Sequence, residues 1–395
     1  MYKRNLPLVL TCLLLMLTAA GCGKDQVDQA ELTLRNTGVF DSKAVDKVNK
    51  VEWEFQTEGG GPILGPTLGS QAIFLSNGEN FYAVDKETGN QVWSTSAEGE
   101  VSLAAESQGI VCFTDDNNLY AYNAEDGRLL WKRAFQDTIS ILHRAVTAVI
   151  KDKVILVENE KLYGLDLKTG EEQWENDEVA FSDISGTPYD DGKIVLATED
   201  TILAVDLADG KIKDKIKHTN GGDQKQLLVI EDKLIVADVL GGISVYNVDN
   251  GELQWKNEET LVTAVAYYDG MLFSTNMIDG KVYAMEFASG HVVWDKQIAN
   301  PELGMLRINS SGEIEQNKDG KIQFINSPIS IADGTLYLGA WNTTHGEIIA
   351  LDSKTGNINW SYEPHTDLST SPFLIANQKL YGLNTEHSLA AFSGN

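Results

Sequence analysis

The residue types that carry most enzyme chemistry are thinly spread through these 395 residues. The six histidines (His143, His218, His291, His345, His365 and His387) stand far apart, with no spacing that would set two imidazoles on one metal. There is no GxSxG, HExxH or CxxC, so nucleophile-elbow, zincin and thiol-redox chemistry have no local signature. Acidic turns such as Asp115-Asp116-Asn117-Asn118 and Asn317-Lys318-Asp319-Gly320 lack the spaced oxygen ligands ending in Glu that a calcium loop requires. They are expected to be hairpin turns. The sequence therefore points to no enzyme, no cofactor and no metal site.

One cysteine does sit in a chemical context. Lys3-Arg4, the apolar run Leu6 to Leu17 and the small residues Thr18-Ala19-Ala20-Gly21 lead into Cys22. This segment resembles a bacterial lipoprotein signal, with Ala19 where Leu is commoner. The resemblance implies cleavage before Cys22, acylation of that residue, and an exported protein held at a membrane by lipid alone. The membrane would be the outer membrane in a Gram-negative host or the outer face of the plasma membrane in a Gram-positive one. An ordinary secretory signal with an incidental cysteine is the alternative. Cys12 leaves with the signal, and Cys112, in the apolar run Ile110 to Phe113, is expected to be core packing. The formal net charge of −27 excludes nucleic acid and anionic headgroups as electrostatic partners.

The elements that position these residues repeat. An anchor residue, a Gly four places on and a Trp eight places on recur at Asp85/Gly89/Trp93, Asn123/Gly127/Trp131, Asp166/Gly170/Trp174, Asn247/Gly251/Trp255, Glu286/Gly290/Trp294 and Asp352/Gly356/Trp360. Asp206/Gly210 keeps the spacing with Asp214 in the Trp place. A β-favouring run precedes each anchor, so each copy predicts strand, Gly turn, strand, with positive φ at the Gly. A period of about 40 residues with four strands per repeat predicts a β-propeller.

Two incomplete copies sit at the ends. Val51-Glu52-Trp53-Glu54-Phe55 is a fourth strand with nothing before it, and Ser371 to Phe392 supplies three strands with no Trp after them. Joined, they complete one blade and remove an open sheet edge. The expected fold is all-β: an eight-bladed β-propeller of four-stranded antiparallel blades, its ring closed by the N-terminal strand on the C-terminal blade. The expected organisation is signal 1–21, lipidated flexible tether 22–50, and propeller 51–395, monomeric, with an inserted loop at about 299–326.

The run Tyr82 to Trp93 resembles the pyrroloquinoline-quinone repeat, and the eight-blade lipoprotein layout is similar to BamB-type outer-membrane assembly factors. The resemblance covers the chain from about Val51 to its end. It implies that Trp53, Trp93, Trp131, Trp174, Trp255, Trp294 and Trp360 dock between neighbouring blades. Quinoprotein dehydrogenases that share the repeat carry adjacent cysteines and a calcium site of Glu, Asn and Asp; this sequence has no Cys-Cys pair. The function expected is a non-enzymatic scaffold for envelope protein partners, with outer-membrane protein assembly as the specific case. A quinone- or ligand-binding receptor, or a quinoprotein-like enzyme subunit, is the alternative.

In a propeller the b-to-c and d-to-a loops share one face, and the a-to-b and c-to-d turns the other. The b-to-c loops here include Ser76 to Glu79, Asp115 to Asn118, Glu158 to Glu160, Thr198 to Asp200 and Asn384 to Glu386. They are either a rim for cations or basic segments, or solvated turns of an acidic protein. Trp294 and Trp360 lie 66 residues apart, where other successive positions lie 38 to 43 apart, so an insertion falls on this loop face. It carries Met305, Leu306 and Arg307 and suggests an added hairpin. Trp341 and His345 lie in the lengthened neighbouring loop. These five residues are the candidate partner-binding set, since long loops on rigid scaffolds tend to carry binding. A neutral insertion with Trp341 packed beneath it is the alternative.

Overall fold

The computed structural model describes residues 38–394 apart from 62, 136–147, 179–184, 190–191, 198–200, 218–224, 239–241, 259–263, 277–278, 300–306, 309–313, 316–323, 326, 342–345, 365–367 and 370. Within these residues every regular element is a strand. Eight antiparallel four-stranded blades follow in order: 63–96, 105–134, 148–176, 185–217, 225–257, 264–297, 330–362, and 374–393 completed by 50–56. The closing pair is Lys50–Gln56 against Ser388–Ser393, with Trp53 opposite Ala391.

Burial follows strand position. The second strand of blade 1, Ala72–Asn77, is buried throughout, whereas the fourth, Gln91–Ser96, buries chiefly Trp93. The inner strands therefore form continuous apolar runs, and the fourth strands form the outer perimeter. Clusters of buried side chains join each blade to the next, as Phe74, Phe81 and Trp93 of blade 1 meet Val111, Phe113 and Tyr122 of blade 2. Phe81 and Phe113 stack with centroids 4.2 Å apart. Cys112 lies in such a cluster, fully buried, and burial pushes its thiol well above the usual range. It is packing material without nucleophilic character.

Polar stitches reinforce the inner strands. Gln226 of blade 5 exchanges two hydrogen bonds with the backbone of Val265 in blade 6, at 2.8 and 2.9 Å. Ser330 of blade 7 donates to the Phe373 carbonyl of blade 8 at 2.6 Å. A buried backbone group at a blade boundary would cost free energy if left unpaired, and these side chains reach it.

Two expected boundaries move. The folded part begins by Gly38, within the stretch expected to be tether: Val39–Phe40 pairs in parallel with Ile331 and Ala332, and Val45 and Val48 are 3% and 1% exposed. Four apolar side chains spaced through a polar stretch carry no strand or helix period, so their burial was not legible. The insertion is also shorter than 299–326. Ala299 is buried and its amide bonds Gly280, while Phe324–Ile325 pairs with Trp341 and Ala340 and so extends the first strand of blade 7.

Candidate functional site

The repeated turn explains the spacing of anchor, Gly and Trp. The Asp85 carboxylate accepts from the amides of Glu87 and Thr88 at 3.1 and 2.8 Å and from the Thr88 hydroxyl at 2.7 Å. These bonds hold its pKa below the ordinary carboxylate value, the Thr88 hydroxyl bond first. The Gly89 amide returns to the Asp85 carbonyl at 3.0 Å with φ +71°. A side chain at Gly89 would meet Trp53 of the preceding blade at 2.5 Å, so the Gly satisfies both the turn and the ring lying against it. Asn123 and Asn247 accept the same two amides, which is why Asn substitutes for Asp as anchor.

Between the third and fourth strands each blade carries a register shift next to the Trp position, which Asp214 holds in blade 4, and the composite closing blade does the same. The extra residue re-aims the side chain. The indoles of Trp93, Trp131, Trp174, Trp255 and Trp294 then donate to the carbonyls of Ala124, Leu167, Leu207, Phe287 and Ser353, at 2.9 to 3.1 Å. Each acceptor is the residue after the anchor of the following blade. A ring with one donor satisfied at the junction contributes area and direction together.

Three junctions depart from this rule. Where blade 4 has Asp214, Ile216 from two residues on lies against Gly251, its Cγ1 3.0 Å from the point that a Cβ on that glycine would occupy. At the closure, Trp360 donates to the Val45 carbonyl at 3.1 Å, and the Asn49 amide bonds the Ser393 carbonyl at 3.0 Å. The N-terminal segment thus supplies, across the chain ends, the turn that other blades make within the chain. Trp53 itself finds no partner for its indole nitrogen among the described residues; the Tyr381 hydroxyl takes the Lys86 carbonyl at 3.2 Å instead.

On the loop face, Asp115 is fully buried and its carboxylate accepts from the Tyr120 hydroxyl and from the amides of Asn117, Asn118 and Glu98, at 2.7 to 3.0 Å. Burial opposes its charge, yet these donors together hold its pKa below the ordinary value. Its acceptor positions are committed to the turn. Glu158 is similarly engaged with Arg133 at 3.3 Å. Among the described residues no three His, Cys, Asp or Glu side chains cluster as a metal would need.

Of the candidate partner-binding set, Trp341 is half-buried at the end of strand Thr335–Trp341, opposite Phe324 and Gly346. Arg307 lies in a two-residue strand, Arg307–Ile308, paired with Ile314–Glu315, so the insertion does contain a hairpin. Met305, Leu306, His345 and the lipidation candidate Cys22 lie outside the described residues.

A quinone held at the ring centre would need the inner edges of the blades. Part of that edge is covered by this chain's own Val39–Phe40, and the sequence has no Cys-Cys pair, so the residues present do not fit that group.

Compared by sequence, no curated protein matches the chain. Among solved structures, BamB from Moraxella catarrhalis is similar with a TM-score of 0.64 at 15% identity, over 87% of this chain and 99% of that one. A europium-containing methanol dehydrogenase gives 0.63 at 15% identity over 92% and 89%, and a quinohemoprotein alcohol dehydrogenase from Pseudomonas putida HK5 gives 0.62 at 12% over 95% and 82%. At such identities the likeness is one of fold. The family described as outer membrane protein assembly factor BamB matches at residues 43–212 and 182–311, which is more than half of the chain, and the protein belongs to that family.

Proposed function

We propose that this protein is a lipid-anchored, non-enzymatic scaffold that engages envelope protein partners through the loop face of its ring, in the service of outer-membrane protein assembly. The observation that carries this reading is the family match across residues 43–311. The seating of Val39–Phe40 on the inner edge agrees with it, because binding is thereby left to the loops. The signal-like segment ending at Cys22 supports export and lipid attachment, at the outer membrane in a Gram-negative host or at the outer face of the plasma membrane in a Gram-positive one. The dehydrogenase likeness rests on fold alone and comes without the paired cysteines of that chemistry.

The test is photo-crosslinking in living cells from probes placed at Arg307 and Trp341, with one on the turn face at Glu125 as control. Crosslinks to an outer-membrane protein or its assembly machinery from the first two positions, and not from Glu125, are expected. Purified protein that carries a quinone and gives no crosslink from either loop-face probe would overturn the proposal.

A further inference from the structure

The N-terminal segment has a direction as well as a position. Val39–Phe40 runs parallel to Ser330–Ala332, the first strand of blade 7. That strand starts at the link from blade 6, on the loop face, and ends at the Asp333-Gly334 turn on the opposite face. Gly38 is therefore at the loop face, where its carbonyl accepts the Ile331 amide. Beyond Phe40 the chain is on the turn face. There the Val45 amide donates to the Tyr337 hydroxyl at 2.7 Å. Val39 packs with the cluster of blades 6 and 7, and Phe40 packs with clusters that include residues of blades 7, 8 and 1. Four consecutive blades approach one dipeptide only at their inner edges, so the chain passes through the central channel.

We propose that this passage sets the orientation of the ring on its membrane: the face bearing the insertion and Trp341 is turned toward the bilayer that holds the lipid on Cys22. The inference rests on the lipid anchor of the proposed function. Fifteen residues, 23–37, separate Cys22 from Gly38, a reach of at most about 55 Å when extended, and the described chain meets the ring at Gly38, on the loop face. Had the segment only docked against the perimeter, either face could turn to the lipid. Passage through the channel removes that freedom. The acidic ring is not drawn onto anionic headgroups, so the segment acts as a spacer, and loop-face partners would be met in the gap or in the membrane beneath.

The experiment uses the full lipidated protein in phosphatidylcholine vesicles containing an acceptor-labelled lipid. A donor dye is attached at Glu79→Cys, exposed on the loop face of blade 1, or at Glu125→Cys, exposed on the turn face of blade 2. Cys112 is 0% exposed and stays unlabelled. Strands of six residues separate the faces by about 20 Å, so transfer from position 79 should exceed that from 125 by about twofold. Replacing Val39 and Phe40 together with Ser should release the segment and equalise the two positions while the lipid stays attached. Equal or reversed transfer in the parent protein, with acylation verified by mass, would overturn the orientation and leave the anchor standing. A mature chain without acylation, or a Cys22→Ser variant that binds vesicles as well as the parent, would overturn both.

Discussion

The junction between blades 4 and 5 and the junction between blades 7 and 8 both break the repeat, and they are repaired in different ways. At the first, the Trp is missing, and Ile216 of the same strand moves into contact with Gly251. At the second, the Trp is present and its partner turn is missing, because the chain ends lie there; Val45 and Asn49 come from more than 300 residues away to replace it. A missing side chain is repaired locally and needs only that volume be conserved. A missing stretch of backbone needs a new segment, and the segment that serves also threads the channel.

The largest expected effect breaks the second repair. Deleting Val51 to Phe55 removes the outer strand of the closing blade, exposes the edge of Ser388–Ser393 and should abolish the single cooperative melting transition. Deleting residues 26–37 should leave that transition unchanged in calorimetry; a matching loss would show that closure does not depend on the strand.

Trp360→Ala should cost about 3–5 kcal/mol in denaturant unfolding, the range for a buried aromatic truncated to Ala, and should also loosen residues 43–49. Trp174→Ala should cost a similar amount with no effect on that segment. Equal behaviour of the N-terminal segment in both variants would erase the distinction between the two junctions.

Ile216→Ala should cost about 2–4 kcal/mol. Asp214→Trp alone should then be unfavourable by about 1–3 kcal/mol, since Ile216 already lies where the indole would go, while the pair Asp214→Trp with Ile216→Ala should recover most of the loss. From the sequence alone, Asp214→Trp is expected to be tolerated or mildly stabilising if the junction has room, a large loss meaning that this blade packs by another scheme. A neutral single variant would show that the junction has room after all.

The smallest effect sits in the turns. Hydrogen bonds from Thr355 to Asp352 and from Thr88 to Asp85 depress the folded-state pKa of both carboxylates, so their contribution is present above the unfolded carboxylate pKa and is lost as pH falls through the lower folded value. Asp352→Asn should leave stability at neutral pH nearly unchanged, as Asn123 and Asn247 do natively, and should flatten the acid side of the stability profile slightly. An unchanged acid slope would remove the turn from the account.

The ring was legible because its code is local: anchor, Gly and Trp lie within nine residues, and the strands between them alternate with turns. What the Gly accommodates was not legible, because the ring against it belongs to the preceding repeat. The N-terminal passage was hidden for a related reason. Gly38, Val39, Phe40 and Val45 pair or bond with residues some 290 or more positions away, and the spacing of the apolar residues here has no period. The loop face shows the same limit. Its length anomaly marked an insertion, yet Phe324–Ile325 belongs to blade 7 by pairing with Trp341 and Ala340, a fact of register that composition does not contain.

The most direct test of the closure is hydrogen exchange of the protein, followed by mass spectrometry over peptides covering 38–50 and 328–334. The Ile331 amide bonds Gly38, and the Asn49 amide bonds Ser393, so both peptides should exchange as slowly as the inner strands of blades 1 and 2. Residues 38–50 should also lose protection together in Trp360→Ala. Exchange of that segment at the rate of free chain in the parent protein would contradict the account.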